Sequence, residues 1–157
     1  MYTLSSKDDL FNLFLLLLKT RRSLFRAREM ELNTIGLTPG QCEIMYILKA
    51  TGEKATQSDM ARMTLREQHT ISSIIDRMVK KGFIEKSKNP KQRNLVKLKI
   101  TKKGKEAQKC AKKRESVHNI MLVLNEEERS QLYGYLERLL SRGITEIDKY
   151  RVSLYSS

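Results

Sequence analysis

Residues 56–83 read TQSDMARMTLREQHTISSIIDRMVKKGF, and the spacing within them decides the fold class. Thr56 and Asp59 stand in the Ser/Thr-x-x-Asp/Glu pattern of a helix start: the hydroxyl receives a first-turn amide and the acid reaches back to the cap. A short helix follows, with Met60, Ala61 and Met63 predicted to turn inward. After Leu65 a second helix is predicted from about Gln68 to Lys81. Its Ile71, Ile74, Ile75, Met78 and Val79 recur at i, i+3, i+4, i+7 and i+8, one face of a 3.6-residue period. Gly82 suits the left-handed residue that ends such a helix. Two helices a few residues apart make a helix-turn-helix.

Downstream the period changes to two. Phe83 to Lys88 can form a strand, Asn89-Pro90 marks a turn, and Val96, Leu98 and Ile100 alternate with Lys97 and Lys99. A basic-tipped hairpin directly after a helix-turn-helix is a wing. Upstream, Thr38-Pro39-Gly40-Gln41 is a further helix start, in which Thr38 caps and Gln41 returns to the cap amide. Cys42, Met45 and Leu48, flanked by Ile44 and Ile47, give that helix its apolar side. A short strand near Lys54-Ala55 is predicted to pair with the wing.

Two longer helical stretches flank this core. The first, about Asp8 to Leu32, is apolar on every side through its first half and so needs cover on more than one face. In a chain of 157 residues a second subunit can supply it. Thr101 to about Leu122 reads as helical, and Asn125 with Glu126, Glu127 and Glu128 opens a last helix striped by Leu132, Tyr135, Leu136, Leu139, Leu140 and Ile144. The expected fold is mainly α with a minor β contribution (α+β): a winged helix-turn-helix with long N- and C-terminal dimerisation helices. The expected divisions are 1–36 for the first dimerisation helix, 37–103 for the winged helix-turn-helix and 104–157 for the C-terminal dimerisation helices.

Charge points to the partner. The formal net charge is +13, and residues 62–105 alone carry 14 Lys/Arg against three acids, a net of +11. So concentrated a block favours a polyanion. The outward side of the 68–81 helix holds Gln68, His69, Ser72, Ser73, Asp76, Arg77 and Lys80, and Thr70 joins the DNA-contacting candidates. Small polar groups near its start suit base edges in a major groove, and Arg77 and Lys80 suit phosphates. At the wing, Arg93 suits a minor groove, with Lys88, Lys91 and Asn94 beside it on the backbone.

Other chemistries fare poorly. His69 and His118 are the only histidines and have no triad or metal-ligand partner at a recognisable spacing, so no catalysis, metal or cofactor is expected. Cys42 and Cys110 form no CxxC; a redox switch there competes with the plainer reading of both as small hydrophobes in a reducing cytoplasm. Leu10 to Leu18 is too short to span a bilayer, and Asp8 and Asp9 stand where a signal peptide carries positive charge.

Taken in order, these landmarks resemble the MarR (multiple antibiotic resistance regulator) family. Leu37-Thr38-Pro39-Gly40-Gln41 looks like the family's second-helix start, and Gln57-Ser58-Asp59-Met60-Ala61 resembles its QseLA. Asp76 to Ile84 is similar to DRLekkGlv, and Asn89-Pro90-Lys91-Gln92-Arg93, with Val96, Leu98, Ile100-Thr101 and Gly104, is similar to the wing pattern. Leu124-Asn125-Glu126-Glu127-Glu128 is like the usual last-helix opening. The resemblance implies a homodimer on a pseudo-palindromic double-stranded operator, acting as a repressor or less often an activator, with Arg93 as the wing-tip arginine. It also implies release by a small, often aromatic, effector. Gln92 replaces the wing acid and Asn94 the second arginine, which leaves the usual wing-bracing ion pair without its acid. The peroxide-sensing branch has a cysteine near the start of its first helix; residues 1–41 hold none. A non-specific architectural binder of DNA or RNA is the competing reading, separable by its indifference to sequence.

Overall fold

The computed structural model describes residues 7–89 and 92–155; at 88, 89, 92–95 and 151–155 it describes the backbone alone. Seven helices and one hairpin follow in order: α1 (Asp9–Asn33), α2 (Pro39–Ala50), α3 (Gln57–Thr64), α4 (Gln68–Lys80), β1 (Ile84–Asn89), β2 (Gln92–Ile100), α5 (Lys102–Ala111), α6 (Glu115–Met121) and α7 (Glu126–Tyr155). The strands pair antiparallel, from Ile84 opposite Ile100 to Lys88 opposite Val96, with an irregularity between Lys88 and Asn89. The chain forms two compact units, one through Val117 and one from His118.

Local chemistry sets the boundaries. Thr38 and Gln41 close one capping box, and Thr56 and Asp59 close another. Thr101 caps α5 through the Gly104 amide at 3.0 Å. In the second unit Asn125 and Glu128 exchange side-chain-to-amide bonds at the mouth of α7. Helix α4 ends in a Schellman turn: Gly82 at φ +72° donates to Val79, and Phe83 donates to Met78.

The core of the first unit lies where α2, α3 and α4 meet the hairpin. Ile44, Met45, Leu48, Met60, Ile71, Ile75, Met78, Ile84 and Leu98 are fully buried there, together with Leu32 of α1. Each such side chain contributes about 1.5–3 kcal/mol on leaving water. Helix α5 closes on this core through Gly104, where an added Cβ would lie 2.1 Å from the Phe83 carbonyl oxygen.

Four expectations need correction. Met63 is 56% exposed, because the α3 face is completed by Met60 and Ala61 and the chain then turns sharply at Leu65. No strand forms at Lys54-Ala55. Gly52 and Glu53 both adopt positive φ, and the Glu53 carboxylate, rather than a ladder carbonyl, accepts from the Ile100 amide at 2.9 Å. The stretch 101–122 is two helices, separated at Arg114 with φ +51°. The new start is capped from far away, since Glu31 of α1 accepts from the Glu115 and Ser116 amides at 2.9 and 3.3 Å. Cys110 is exposed rather than packed, while Cys42 is half-buried.

The helix-turn-helix corner turns on Leu65, a side-chain-bearing residue at φ +53° and 58% exposed. A left-handed conformation costs a non-glycine residue about 1–2 kcal/mol. Leu65→Gly is therefore expected to stabilise the first unit by about 0.5–1 kcal/mol. Gly104→Ala, which drives a methyl into the Phe83 carbonyl, is expected to destabilise it by roughly 1–3 kcal/mol or more. Urea unfolding of both variants checks the opposite signs.

Candidate nucleic-acid interface

Helix α4 is oriented by its inner face. Ile71, Ile74, Ile75 and Met78 are buried, which turns Gln68, His69, Ser73, Asp76, Arg77 and Lys80 outward and leaves Thr70 and Ser72 half-buried. Its start is fixed from two sides. Arg66, just before it, pairs with Glu43 of α2 at 2.7 Å, and the Gln68 carboxamide donates to the Ser58 hydroxyl of α3 at 3.3 Å. Unlike α2, α3 and α5, helix α4 has no side-chain cap: Glu67 stands at the cap position without such a bond. The Thr70 amide donates to the Glu67 carbonyl at 3.0 Å, while the Gln68 and His69 amides are left for water or an anion oxygen, and the helix dipole favours the anion.

Polar groups along this face have distinct tethers. The Arg77 Nε donates back to the Ser73 carbonyl at 3.2 Å, which lays the guanidinium along the helix. His69 Nε2 sits 3.4 Å from the Thr70 hydroxyl. Asp76 receives Lys86 of β1 in an ion pair, so the wing is tied at its base to α4. Sequence reading did not single out this pair. Its signal was an outward acid on a helix ten residues before a lysine in the following strand. Of the wing residues, Lys91 lies outside the described residues, and so do the side chains of Lys88, Arg93 and Asn94, whose backbones belong to β1 and β2.

A second feature of the first unit is a cavity of about 520 Å³ between α1, α2 and α5. Cys42, Met45, Tyr46, Ala50 and Ala111 give it an apolar lining, and Arg28, Lys49, Lys112 and Arg114 stand around them. Arg28 is held in place: it pairs with Glu31 at 2.8 Å and donates to the Ala111 carbonyl. Burial pushes the Cys42 thiol up, with the Arg28 and Arg114 charges pulling the other way. A thiol raised in this way is protonated at neutral pH and a weak nucleophile.

A model of the MarR family matches residues 37–94, the span from the start of α2 into the wing. No curated protein is similar enough to this chain to count as a match. The fold recurs in solved structures. The organohalide-sensing RdhR transcriptional regulator, bound to 2,4-dichlorophenol, superposes with a TM-score of 0.78 at 23% identity, covering 90% of this chain and 89% of its own. A cysteine-to-serine mutant of E. coli MarR complexed with operator DNA gives 0.76 at 20% identity, covering 85% and 99%. The S. aureus MepR–DNA complex gives 0.75 at 20% identity, covering 86% and 99%. The winged-helix segment of this chain is similar to the MarR family, and the fold is shared with these structures.

Within this winged helix, the Lys86–Asp76 pair supplies a brace at the base of the wing. The link from α1 to α6 is electrostatic as well. Burial alone would push the Glu31 carboxyl up. Hydrogen bonds from the Ser116 hydroxyl and Arg28, with the Glu115 amide, outweigh it and bring the pKa from an ordinary 4.5 down to about 2. A carboxylate held below its unfolded value stabilises the fold above pH 4.5, and that contribution is lost as pH falls towards 2. After allowance for solvent at this partly exposed site, Glu31→Gln is expected to cost about 1–2 kcal/mol at pH 7. The deficit should shrink steadily between pH 4.5 and 2, as followed by urea unfolding across that range. A pH-independent deficit would contradict the assignment.

Proposed function

We propose that this protein is a transcription regulator that binds a pseudo-palindromic double-stranded DNA operator as a homodimer. In this reading residues 37–103 bind DNA, and the segments 1–36 and 104–157 dimerise. The single observation that carries the reading is the outward face of α4. Its rotation is locked by buried isoleucines, its start is pinned to α2 and α3, and its exposed groups are those that read and hold DNA. The surrounding +11 block supplies the sequence-independent attraction.

Apolar surface supports the dimer. Leu10, Leu13, Phe14 and Leu16 of α1 are all at least half exposed in the single chain, as are Tyr135, Leu139 and Leu140 of α7. Exposed apolar residues at this density on each helix mark an interaction face, and a symmetric dimer covers both copies at once. No helix among the described residues is long and apolar enough to cross a membrane. We place the protein in the cytoplasm, at its DNA.

We assign regulation to the cavity between α1, α2 and α5. An apolar floor with Tyr46 and a rim of Arg28, Lys49, Lys112 and Arg114 fits a small aromatic anion, a phenolate or carboxylate, whose binding releases a repressor. The dichlorophenol-bound relative is in keeping with that chemistry.

In this assignment α4 reads and the wing holds. A lost base contact should cost ~1–3 kcal/mol at the affected base pair, while a lost phosphate contact should lower the salt slope by about 0.9. Ser73→Ala and His69→Ala are expected to reduce the operator-to-random ratio with little change in salt slope. Arg93→Ala is expected to weaken operator and random DNA alike. Fluorescence anisotropy over a salt series measures both. Equal loss on all sequences from the α4 variants, with discrimination abolished by Arg93→Ala, would reverse the assignment. Wild-type protein indifferent to sequence would establish the architectural reading instead.

A further inference from the structure

We propose that a trough between the C-terminal end of α2 and the basic side of α5 is a binding site for a multiply charged phosphate anion. The trough is a cavity of about 520 Å³ next to the one assigned to the aromatic effector. Lys105 and Lys109 of α5 and Lys112 at its C-cap line it at i, i+4 and i+7, one stripe of the helix, and Lys49 lines it from the last turn of α2. Among the described residues these four lysines form no ion pair. Glu53 is the acid in the lining, and its carboxylate accepts from the Ile100 amide at 2.9 Å.

An ordinary solvated lysine spreads away from its neighbours. Here Lys49 and Lys112 line the same trough, and the Lys49 charge depresses the Lys112 pKa, with Arg114 and Lys109 adding to the effect. Helix dipoles account for cations near the ends of α2 and α5 one at a time. They do not account for four lysines around one trough, an arrangement that repels itself until an anion lies between them. Four converging cations call for more than one negative charge, and phosphate oxygens accept from several ammonium groups at once. The lining contains no aromatic ring, so it does not select the flat ligand suited to the adjoining cavity. The chemistry is shared by two sources: a free polyphosphorylated small molecule, or the backbone of a nucleic acid laid along α5.

This site stands apart from the DNA-reading assignment, and its first test uses no DNA. The full chain is titrated with sodium pyrophosphate at constant ionic strength and followed by calorimetry and by the backbone amides of Gly52, Lys105 and Lys109. Saturable binding is expected, with shifts confined to the trough. The double variant Lys105→Gln, Lys109→Gln is expected to bind at least tenfold more weakly with an unchanged circular dichroism spectrum. Lys49→Gln should weaken binding as well. Shifts scattered over every lysine-bearing helix, or an undiminished affinity in the double variant, would overturn the proposal. A second arm identifies the source. If the double variant also lowers the salt slope for a random-sequence duplex by about 0.9 per lost contact, the anion is the nucleic-acid backbone. If the slope is unchanged while pyrophosphate binding is lost, the anion is a small phosphorylated molecule.

Discussion

A helix cannot bury one face without presenting the other, and in this protein the burial of Ile71, Ile74, Ile75 and Met78 sets everything that α4 presents. Core packing is dense, and an eclipsed or displaced isoleucine is costly, so the rotation of α4 is held within narrow limits. The remaining elements reinforce that setting. The Arg66–Glu43 pair and the Gln68–Ser58 bond pin its start, the Schellman turn at Gly82 stops it, and Lys86 ties the wing back to Asp76. These polar tethers are partly exposed and each is worth little alone. Their role is orientation; the stability comes from the core beneath them.

The features that were legible in the sequence are those governed by neighbours along the chain. The capping boxes at Thr38 and Thr56 were readable because donor and acceptor are three residues apart. The apolar face of α4 and the alternation of Leu98 and Ile100 were readable because periodicity is local. What was missed depends on distant partners. Glu31 caps α6 across more than 80 residues, so the break at Arg114 had no local signal apart from a run of lysines. Glu53 replaces a ladder carbonyl for Ile100, so the short strand expected at Lys54-Ala55 was not needed. Met63 sits in the α3 pattern but past the point where the chain leaves the core.

The candidate interface divides in the same way. Sequence identified most of the residues of α4 that turn outward, because amphipathicity specifies both faces together, although Thr70 and Ser72 are half-buried and Val79 is exposed. It did not identify Asp76 as the wing's anchor, since that pairing requires knowing where β1 runs. Nor could it place Arg28, Tyr46, Lys49 and Arg114 around one cavity, because they come from three separate parts of the chain. The positive charge has a comparable structure. Some of it lies on α4, and some converges in the trough between α2 and α5, where four lysines face one acid, Glu53. One count of net charge covers two different uses.

The central claim is that a rigidly oriented α4, present twice in a symmetric dimer, reads DNA sequence. Selection of bound sequences from a random duplex library tests it most directly. The account predicts enrichment of one inverted repeat, with half-site centres one helical turn apart, about 10–10.5 base pairs, or a multiple of that. Enrichment of an unrepeated site would contradict the dimer, and no enrichment over random sequence would contradict reading altogether.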